Sequence, residues 1–292
     1  MPRTLRLTLA YDGTAFAGWQ RQANAVSVQE VLEDELAAIL GARALIVGAG
    51  RTDSGVHAAG QIASVEIDHP IACPDLVRAL NAKLPGDIRV RHADDTFAGF
   101  DARHDAVTKT YRYGIWNGAA PSPFLRHVVW HVVQPLDVSA MASAASSLVG
   151  RHDFAAFRAT GGDAKTTTRR LLQSDLREVG LSGDESIGIP ALATNPPGFE
   201  ARLLRYEVRG TGFLRHMVRA IVGTLVDIGR ARTRAEDMAA ILASCDRARA
   251  GMTAPAQGLM LWTVEYGPGP RLPKEKKEER RKKKETEDQD ED

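Results

Sequence analysis

Cysteine is scarce in this chain: the two residues, Cys73 and Cys245, lie far apart and show no C-x-x-C spacing. This scarcity excludes a disulfide framework and a structural zinc site, and we expect both thiols to be buried. Long hydrophobic runs are also missing, since none approaches the roughly 20 residues that cross a bilayer. Near the start, Leu5, Leu7 and Leu9 alternate with polar residues, as in a half-buried strand and unlike a signal peptide. These absences predict a cytoplasmic protein that does not bind membranes.

Spacing patterns typical of metal chemistry and of acyl transfer are missing too. The eight histidines include no H-E-x-x-H or comparable pair of ligands, so the sequence predicts no metal site. Asp53, Ser54 and His57 fall within five residues, where three such groups rarely converge into a triad, and the chain has no G-x-S-x-G turn. The sequence therefore predicts neither a metalloenzyme nor a serine hydrolase.

Lysine is rare over most of the chain. Three lysines precede residue 271, so the cations of that part are almost all arginine. The guanidinium group suits phosphate and base contacts better than an ammonium group, although GC-rich coding also enriches arginine. Residues 271–292 carry nine basic and nine acidic side chains and almost no apolar ones. Because such a segment cannot bury enough apolar surface to fold, residues 269–292 are predicted to form a disordered charged tail.

The first hundred residues alternate strand-like and helix-like patterns. A strand over residues 3–11 precedes a helix that begins with a capping box of Ser27 and Glu30 and ends at Gly41. Further strands and a second helix are predicted in the segments ALIV (44–47), QIASVEI (61–67), PDLVRALNAKL (74–84) and IRVRH (88–92). The resulting order, β-α-β-β-α-β, is typical of a split β-α-β unit with an antiparallel sheet.

The second half repeats this mixture of elements. Strands are predicted at 109–116, 127–133, 168–179, 200–210 and 259–266, and helices at 137–149, 213–229 and 234–244. The Gly- and Pro-rich stretch 181–199 predicts a surface loop. We therefore predict an α+β protein of two related ferredoxin-like split β-α-β units, residues 1–105 and 106–268, with antiparallel sheets joined around a central cleft.

The stretch GAGRTDSGVHAAGQIA, residues 48–63, places a single carboxylate, Asp53, in a glycine-rich turn two residues after Arg51. Taken alone, the two residues fit a surface ion pair on a turn as well as they fit a reactive site. A carboxylate can also serve as a covalent nucleophile. The motif by itself leaves both interpretations open.

Six segments, taken in their order along the chain, favour the reactive site. They are YDGTAFAGWQRQ (11–22), GAGRTDSGVHAAGQIA (48–63), FDARHDAVTKTYRYGIWN (100–117), DFAAFR (153–158), FLRHMVRAIVGTLVDIG (213–229) and APAQGLMLWTVEY (254–266). Together they resemble the tRNA pseudouridine synthases of the TruA type over residues 3–267, and GRTDSGVHA is highly specific for that family. The resemblance implies the pseudouridine synthase fold.

The resemblance also implies an activity, which is isomerisation of uridine to pseudouridine in the anticodon stem-loop of tRNA, typically at tRNA positions 38, 39 and 40. The reaction needs no cofactor and no metal. By resemblance Asp53 attacks either C6 of the base or C1′ of the ribose, while Arg51, together with Arg219, favours its ionised form. The implied partners are tRNA and a second subunit in a symmetric homodimer, for which the helix at 213–229 is expected to offer apolar surface.

Other side chains match the family's pattern or suit RNA binding. Tyr111 matches the active-site tyrosine and is expected to stack on the uracil or to assist removal of the C5 proton. Leu259 is expected to form an apolar wall against the base. Gly48, Gly50 and Gly55 are expected to let the loop and the nucleic-acid backbone approach closely. Contacts to phosphates or stacking contacts are expected from Gln20, Arg21, Arg103 and Arg158.

Two alternatives use the same scaffold. One is a pseudouridine synthase that acts on another RNA, because recognition surfaces are less visible in a sequence than catalytic residues. The other is a non-catalytic tRNA-binding protein, which would keep the basic face and lose the nucleophile. Retention of Asp53, Arg51 and Tyr111 together favours the enzyme.

Overall fold

The computed structural model describes residues 2–120, 123–161, 164–179 and 201–269. The predicted surface loop at 181–199 and residues 270–292 of the predicted disordered tail lie outside these residues. Within the described ranges, no helix has the length and apolar character that crossing a membrane requires. The expectation for the thiols is wrong, since Cys73 is half-buried and Cys245 is exposed.

Ten strands and five helices form the described part of the chain. The strands are β1 (Arg3–Tyr11), β2 (Ile46–Gly48), β3 (His57–Ile67), β4 (Ile88–Asp95), β5 (Ala106–Asn117), β6 (Trp130–Val132), β7 (Gly150–Asp153), β8 (Thr168–Val179), β9 (Arg202–Gly210) and β10 (Leu259–Tyr266). The helices are α1 (Val28–Leu40), α2 (Cys73–Lys83), α3 (Val138–Ser146), α4 (Met217–Gly229) and α5 (Asp237–Ser244). The predicted α+β class is confirmed, whereas the division into two split β-α-β units stays a prediction.

All ten strands belong to one continuous sheet. Its main path runs β4-β1-β3-β10-β5-β9-β8-β7, with β2 added beside β3 and β6 beside β5. The last strand, β10, pairs in parallel with β3 and antiparallel with β5, so Leu261 lies between Ala58 and Tyr111. The sheet is therefore shared across the boundary that the sequence predicts between residues 105 and 106.

Helix α1 follows the pattern that its sequence predicts. The Ser27 hydroxyl accepts a hydrogen bond from the backbone N–H of Glu30 at 3.2 Å, which caps the first turn. Gly41 ends the helix with a φ of 68° and donates its N–H to the carbonyl of Ala37. The buried residues Leu32 and Leu36 of the helix belong to the same hydrophobic core as Leu5 of β1.

Helix α4 begins four residues later than its hydrophobic period predicts. Residues 214–217 form a turn instead, closed by a bond from the N–H of Met217 to the carbonyl of Leu214. Every residue of the helix except Arg219 and Asp227 is buried within the described chain. The expectation that this helix keeps apolar surface for a second subunit is therefore wrong.

A close backbone approach fixes α4 against the segment that leads into β10. A methyl group added at Gly223 would lie 1.7 Å from the carbonyl oxygen of Met252. Further along that segment, the N–H of Ala254 donates to the carbonyl of Arg219 at 3.1 Å. The absence of a side chain at Gly223 thus lets residues 250–254 lie directly on the helix that carries Arg219.

We predict that Gly223→Ala lowers the free energy of unfolding by about 2 kcal/mol, measured by urea denaturation. Alanine stabilises a helix relative to glycine by up to about 1 kcal/mol. Overpacking against a backbone carbonyl costs about 1–3 kcal/mol, and at this very short distance that cost exceeds the gain in helix propensity. Gly86→Ala is the control, since an added methyl there meets nothing within 4 Å and should change stability by less than about 0.5 kcal/mol. Equal denaturation midpoints for both variants would contradict the close approach.

Candidate active site

Asp53 lies in the loop between β2 and β3, and the segment at residues 13–19 holds that loop in place. The N–H of Trp19 donates to the carbonyl of Thr52 at 3.0 Å, and the N–H of Gly55 donates to the carbonyl of Phe16 at 3.3 Å. At Gly18 an added methyl group would lie 2.4 Å from the Thr52 carbonyl oxygen, and the backbone has a φ of 93°, which few other residues adopt. Glycine satisfies both requirements, so the loop backbone is fixed before any substrate binds.

One glycine of the loop serves the protein's own packing. A methyl group at Gly48 would lie 2.4 Å from the indole of Trp19, which is buried. The missing side chain at Gly48 makes room for Trp19, and the expected approach of nucleic acid at this loop stays a prediction. At Gly55 the φ of 76° explains the residue type without any ligand.

Two side chains from the start of α4 face one oxygen of the Asp53 carboxylate. His216 Nε2 lies 3.4 Å from Asp53 Oδ2, and Arg219 Nη1 lies 3.5 Å from the same atom. The Arg219 guanidinium is fixed by a 2.7 Å bond from its Nε to the carbonyl of Ala254. Asp53 remains about 30% exposed, so the carboxylate is accessible while its partners are largely enclosed.

Tyr111 and Leu259 lie beside this carboxylate on the neighbouring strands β5 and β10. The Tyr111 ring meets the ring of Phe213 edge to face, with centroids 4.9 Å apart. Burial raises the pKa of the Tyr111 hydroxyl, and nearby Tyr11 and Asp53 raise it further, so the hydroxyl is protonated at neutral pH. Leu259 is also buried.

These groups surround one small cavity of about 60 Å³. Its lining includes Arg51, Asp53, Tyr111, Phe213, His216 and Leu259. The structure thus brings together four residues that the sequence singles out, with Arg219 just behind Asp53. Sequence reasoning missed Phe213 and His216 as site residues, although both belong to the FLRHMVR segment.

Arg51 is oriented by a chain of side-chain hydrogen bonds that starts on α1. Its Nε donates to Gln20 Oε1 at 3.2 Å, and Gln20 Nε2 donates to Gln29 Oε1 at 2.8 Å. Gln29 in turn donates to Glu33, a carboxylate that is only 2% exposed. Glu33 also accepts the N–H of Ile46 at the start of β2, the strand that leads into the Asp53 loop. The helix therefore positions both Arg51 and the loop that carries it.

The remaining predicted RNA contacts lie elsewhere. Arg21 lies among the acidic groups of α1, with Glu33 and Asp34 both 3.1 Å away, and therefore stabilises the helix. Arg103 is exposed in the turn before β5, and Arg158 is half-buried after a short 3-10 turn. Neither of these last two residues is part of the cavity lining given above.

His57 has a structural task and does not form a triad with Asp53. The N–H of Gly13 lies 3.0 Å from its Nδ1, and Asp12 Oδ1 lies 3.1 Å from the same nitrogen. Nε2 lies 3.1 Å from the carbonyl of Gln257, so His57 ties the Asp53 loop to the start of β10. Across the described ranges, no cluster of three or more His, Cys, Asp or Glu is suited to hold a metal ion.

Comparison with known proteins identifies the family. A family model described as tRNA pseudouridine synthase matches residues 8–105 and 144–267. The chain belongs to this tRNA pseudouridine synthase family, and it is an enzyme of the isomerase class.

Relatives match over nearly their whole lengths. The tRNA pseudouridine synthase A of Citrifermentans bemidjiense is 43% identical over 265 residues, covering 90% of this chain and 98% of that protein. The protein of the same name from Myxococcus xanthus is 44% identical over 270 residues, covering 92% of this chain and 94% of that protein. For the one from Acetivibrio thermocellus, identity is 39% over 264 residues, which is 90% of this chain and 100% of that protein.

We predict that Glu33→Ala lowers the free energy of unfolding by about 3 kcal/mol in chemical denaturation, because buried partners on Gln29 and Ile46 lose their acceptor. Asp34→Ala is the matched control: its carboxylate contacts the same Arg21 but is 63% exposed, so the loss should stay within about 1 kcal/mol. Equal losses in the two variants would show that the buried chain of hydrogen bonds does not stabilise this region.

Proposed function

We propose that this enzyme converts uridine to pseudouridine in the anticodon stem-loop of tRNA, at tRNA positions 38, 39 and 40, with Asp53 as the nucleophile. The relatives' names support tRNA uridine isomerisation. The observation that carries the assignment of Asp53 is its position: an accessible carboxylate at a cavity walled by Tyr111 and Leu259, with Arg219 against one oxygen.

The chemistry suits a site with a single carboxylate. The C1′–N1 bond of uridine breaks, the base turns, and a C1′–C5 bond forms, while C5 loses a proton and N1 gains one. Atoms and electrons balance within the nucleotide, so no external oxidant or reductant enters. Asp53 serves as a covalent nucleophile, attacking C1′ of the ribose or C6 of the base, and is released when the new bond is complete.

The apolar walls hold the detached base. Tyr111 offers a ring whose position is fixed by Phe213, and Leu259 lies on the adjacent strand, so a uracil between them is shielded from water. The Tyr111 hydroxyl stays protonated at neutral pH, which makes it a hydrogen-bond donor toward the base in its resting state.

The cations at the rim suit the RNA backbone. Arg51 and Arg215 line the cavity and are exposed, and a guanidinium binds phosphate oxygens in a bidentate manner. Extruding the target base from the anticodon arm costs a few kcal/mol and is least costly in a loop or at a weak stem end. Backbone contacts by these arginines offset that cost.

We predict that Asp53→Asn reduces pseudouridine formation by at least about 10³-fold, while the Kd for tRNA changes less than about tenfold, or 1.4 kcal/mol. The amide keeps the shape of the side chain but is not a nucleophile. Carbodiimide labelling with primer extension measures and maps the product, and filter binding gives the Kd. Asp75→Asn, which alters an exposed carboxylate on α2, is the control and should behave as the wild type. Turnover of Asp53→Asn within tenfold of the wild type would refute the assignment.

The proposal includes the symmetric homodimer implied by the family resemblance, with tRNA held by both subunits. Since α4 is buried within its own chain, the contact must use another surface. Light scattering at micromolar concentration should give twice the chain mass of 31.6 kDa. A stable species at the single-chain mass would contradict the dimer.

A further inference from the structure

His216 has a backbone conformation that few residues other than glycine adopt. Its φ is 59° and its ψ is 4°, in the left-handed region. Histidine is tolerated there better than most side chains, but the conformation still costs of the order of 1 kcal/mol. Residues held in this way persist where the surrounding structure fixes them, and they occur often at functional sites.

The surroundings of His216 fix that conformation from both sides. The turn around it is closed by the bond from Met217 to Leu214, and the preceding carbonyl, of Arg215, accepts the N–H of Ala159 at 3.1 Å. The carbonyl of His216 itself accepts the N–H of Ala220 at 2.9 Å as α4 begins. These hydrogen bonds fix the backbone on both sides of His216, so the direction of its Cα–Cβ bond is fixed as well.

That direction leads to Asp53 and away from the helix. His216 occupies the N-cap position of α4, where a side chain ordinarily accepts a bond from the first turn, but it makes no such bond. Its Nε2 lies 3.4 Å from Asp53 Oδ2 instead. Arg219 contacts the same oxygen, and within the residues that the structure describes Oδ1 makes no hydrogen bond.

On this geometry, and resting on the proposed function of Asp53, we propose that His216 is a positioning residue of the pseudouridine synthase reaction. Its Nε2 lies 3.4 Å from Asp53 Oδ2 and limits where that oxygen can lie. Together with Arg219 it fixes the carboxylate so that Oδ1 is the atom presented to the uridine.

The electrostatics make the contact dependent on pH. Burial lowers the pKa of the His216 imidazole below its ordinary value of 6.5; Asp53 opposes this shift, and Arg219, Arg215 and Arg247 reinforce it. The ring is therefore neutral at pH 8. In acid it gains a proton and becomes a cation 3.4 Å from Asp53 Oδ2.

Three variants test this role. His216→Gly removes the side chain and tolerates the left-handed backbone, so folding is not at risk. His216→Gln keeps a polar side chain of similar length, and its amide group does not gain a proton in acid. Ala231→Gly is the matched control: Ala231 has a φ of 56° just after the other end of α4, so the same backbone change is made without touching the cavity.

At pH 8 we expect His216→Gly to lose at least about tenfold in kcat, with the Kd for tRNA within threefold of the wild type. His216→Gln should keep kcat within about threefold. The acid limb of its kcat/KM profile should differ from that of the wild type, because the imidazole gains a proton in acid and the glutamine amide does not. Ala231→Gly should match the wild type throughout.

Wild-type kcat in His216→Gly, a loss confined to tRNA binding, or an unmoved acid limb in His216→Gln would each overturn the positioning role. In those cases Asp53→Asn would still be inactive and the proposed function would stand. Activity retained in Asp53→Asn would overturn the proposed function and this inference together.

Discussion

The pairing of β10 with both β3 and β5 is the constraint on which the site depends. It makes one sheet out of strands from the two ends of the chain, with Leu261 between Ala58 and Tyr111. Because of this pairing, the loop before β3 lies against the start of α4, and Asp53 meets Arg219, which is 166 positions away along the chain. Without the last strand, the carboxylate and its cationic partner would belong to separate parts of the molecule.

The Asp53 loop, Arg219 and Arg51 are each held in place by their own set of hydrogen bonds. Backbone bonds from residues 13–19 hold the Asp53 loop, and the carbonyl of Ala254 holds Arg219 through its Nε. Hydrogen bonds from buried Glu33 reach Arg51 through two glutamines. Because these groups are already fixed, little free energy is needed to reorient them when charge shifts during the reaction. Preorganised groups of this kind contribute most to electrostatic catalysis. The free energy of RNA binding must then offset the cost of extruding the base.

Local patterns predicted the regular elements well. The cap at Ser27 and the end at Gly41 were readable because capping is a short-range interaction, and β8 and β10 match their predicted ranges. The start of α4 could not be predicted, because its apolar period continues into residues 213–216, which form a turn whose Arg215 carbonyl is bound by the distant N–H of Ala159. The role of His216 depends on the same turn, and the engagement of Arg21 with acidic groups depends on where α1 packs. Sequence order locates residues such as Asp53, but long-range pairing decides which groups face them.

The most direct measurement is release of tritium from tRNA labelled at C5 of uridine, since formation of the C1′–C5 bond expels that hydrogen. Two substrates suffice: a tRNA with uridines at tRNA positions 38, 39 and 40, and the same tRNA with cytidines there and its other uridines labelled. If the enzyme isomerises these uridines, stoichiometric release is expected from the first substrate and none above background from the second. No release from the first substrate, or equal release from both, would contradict this activity.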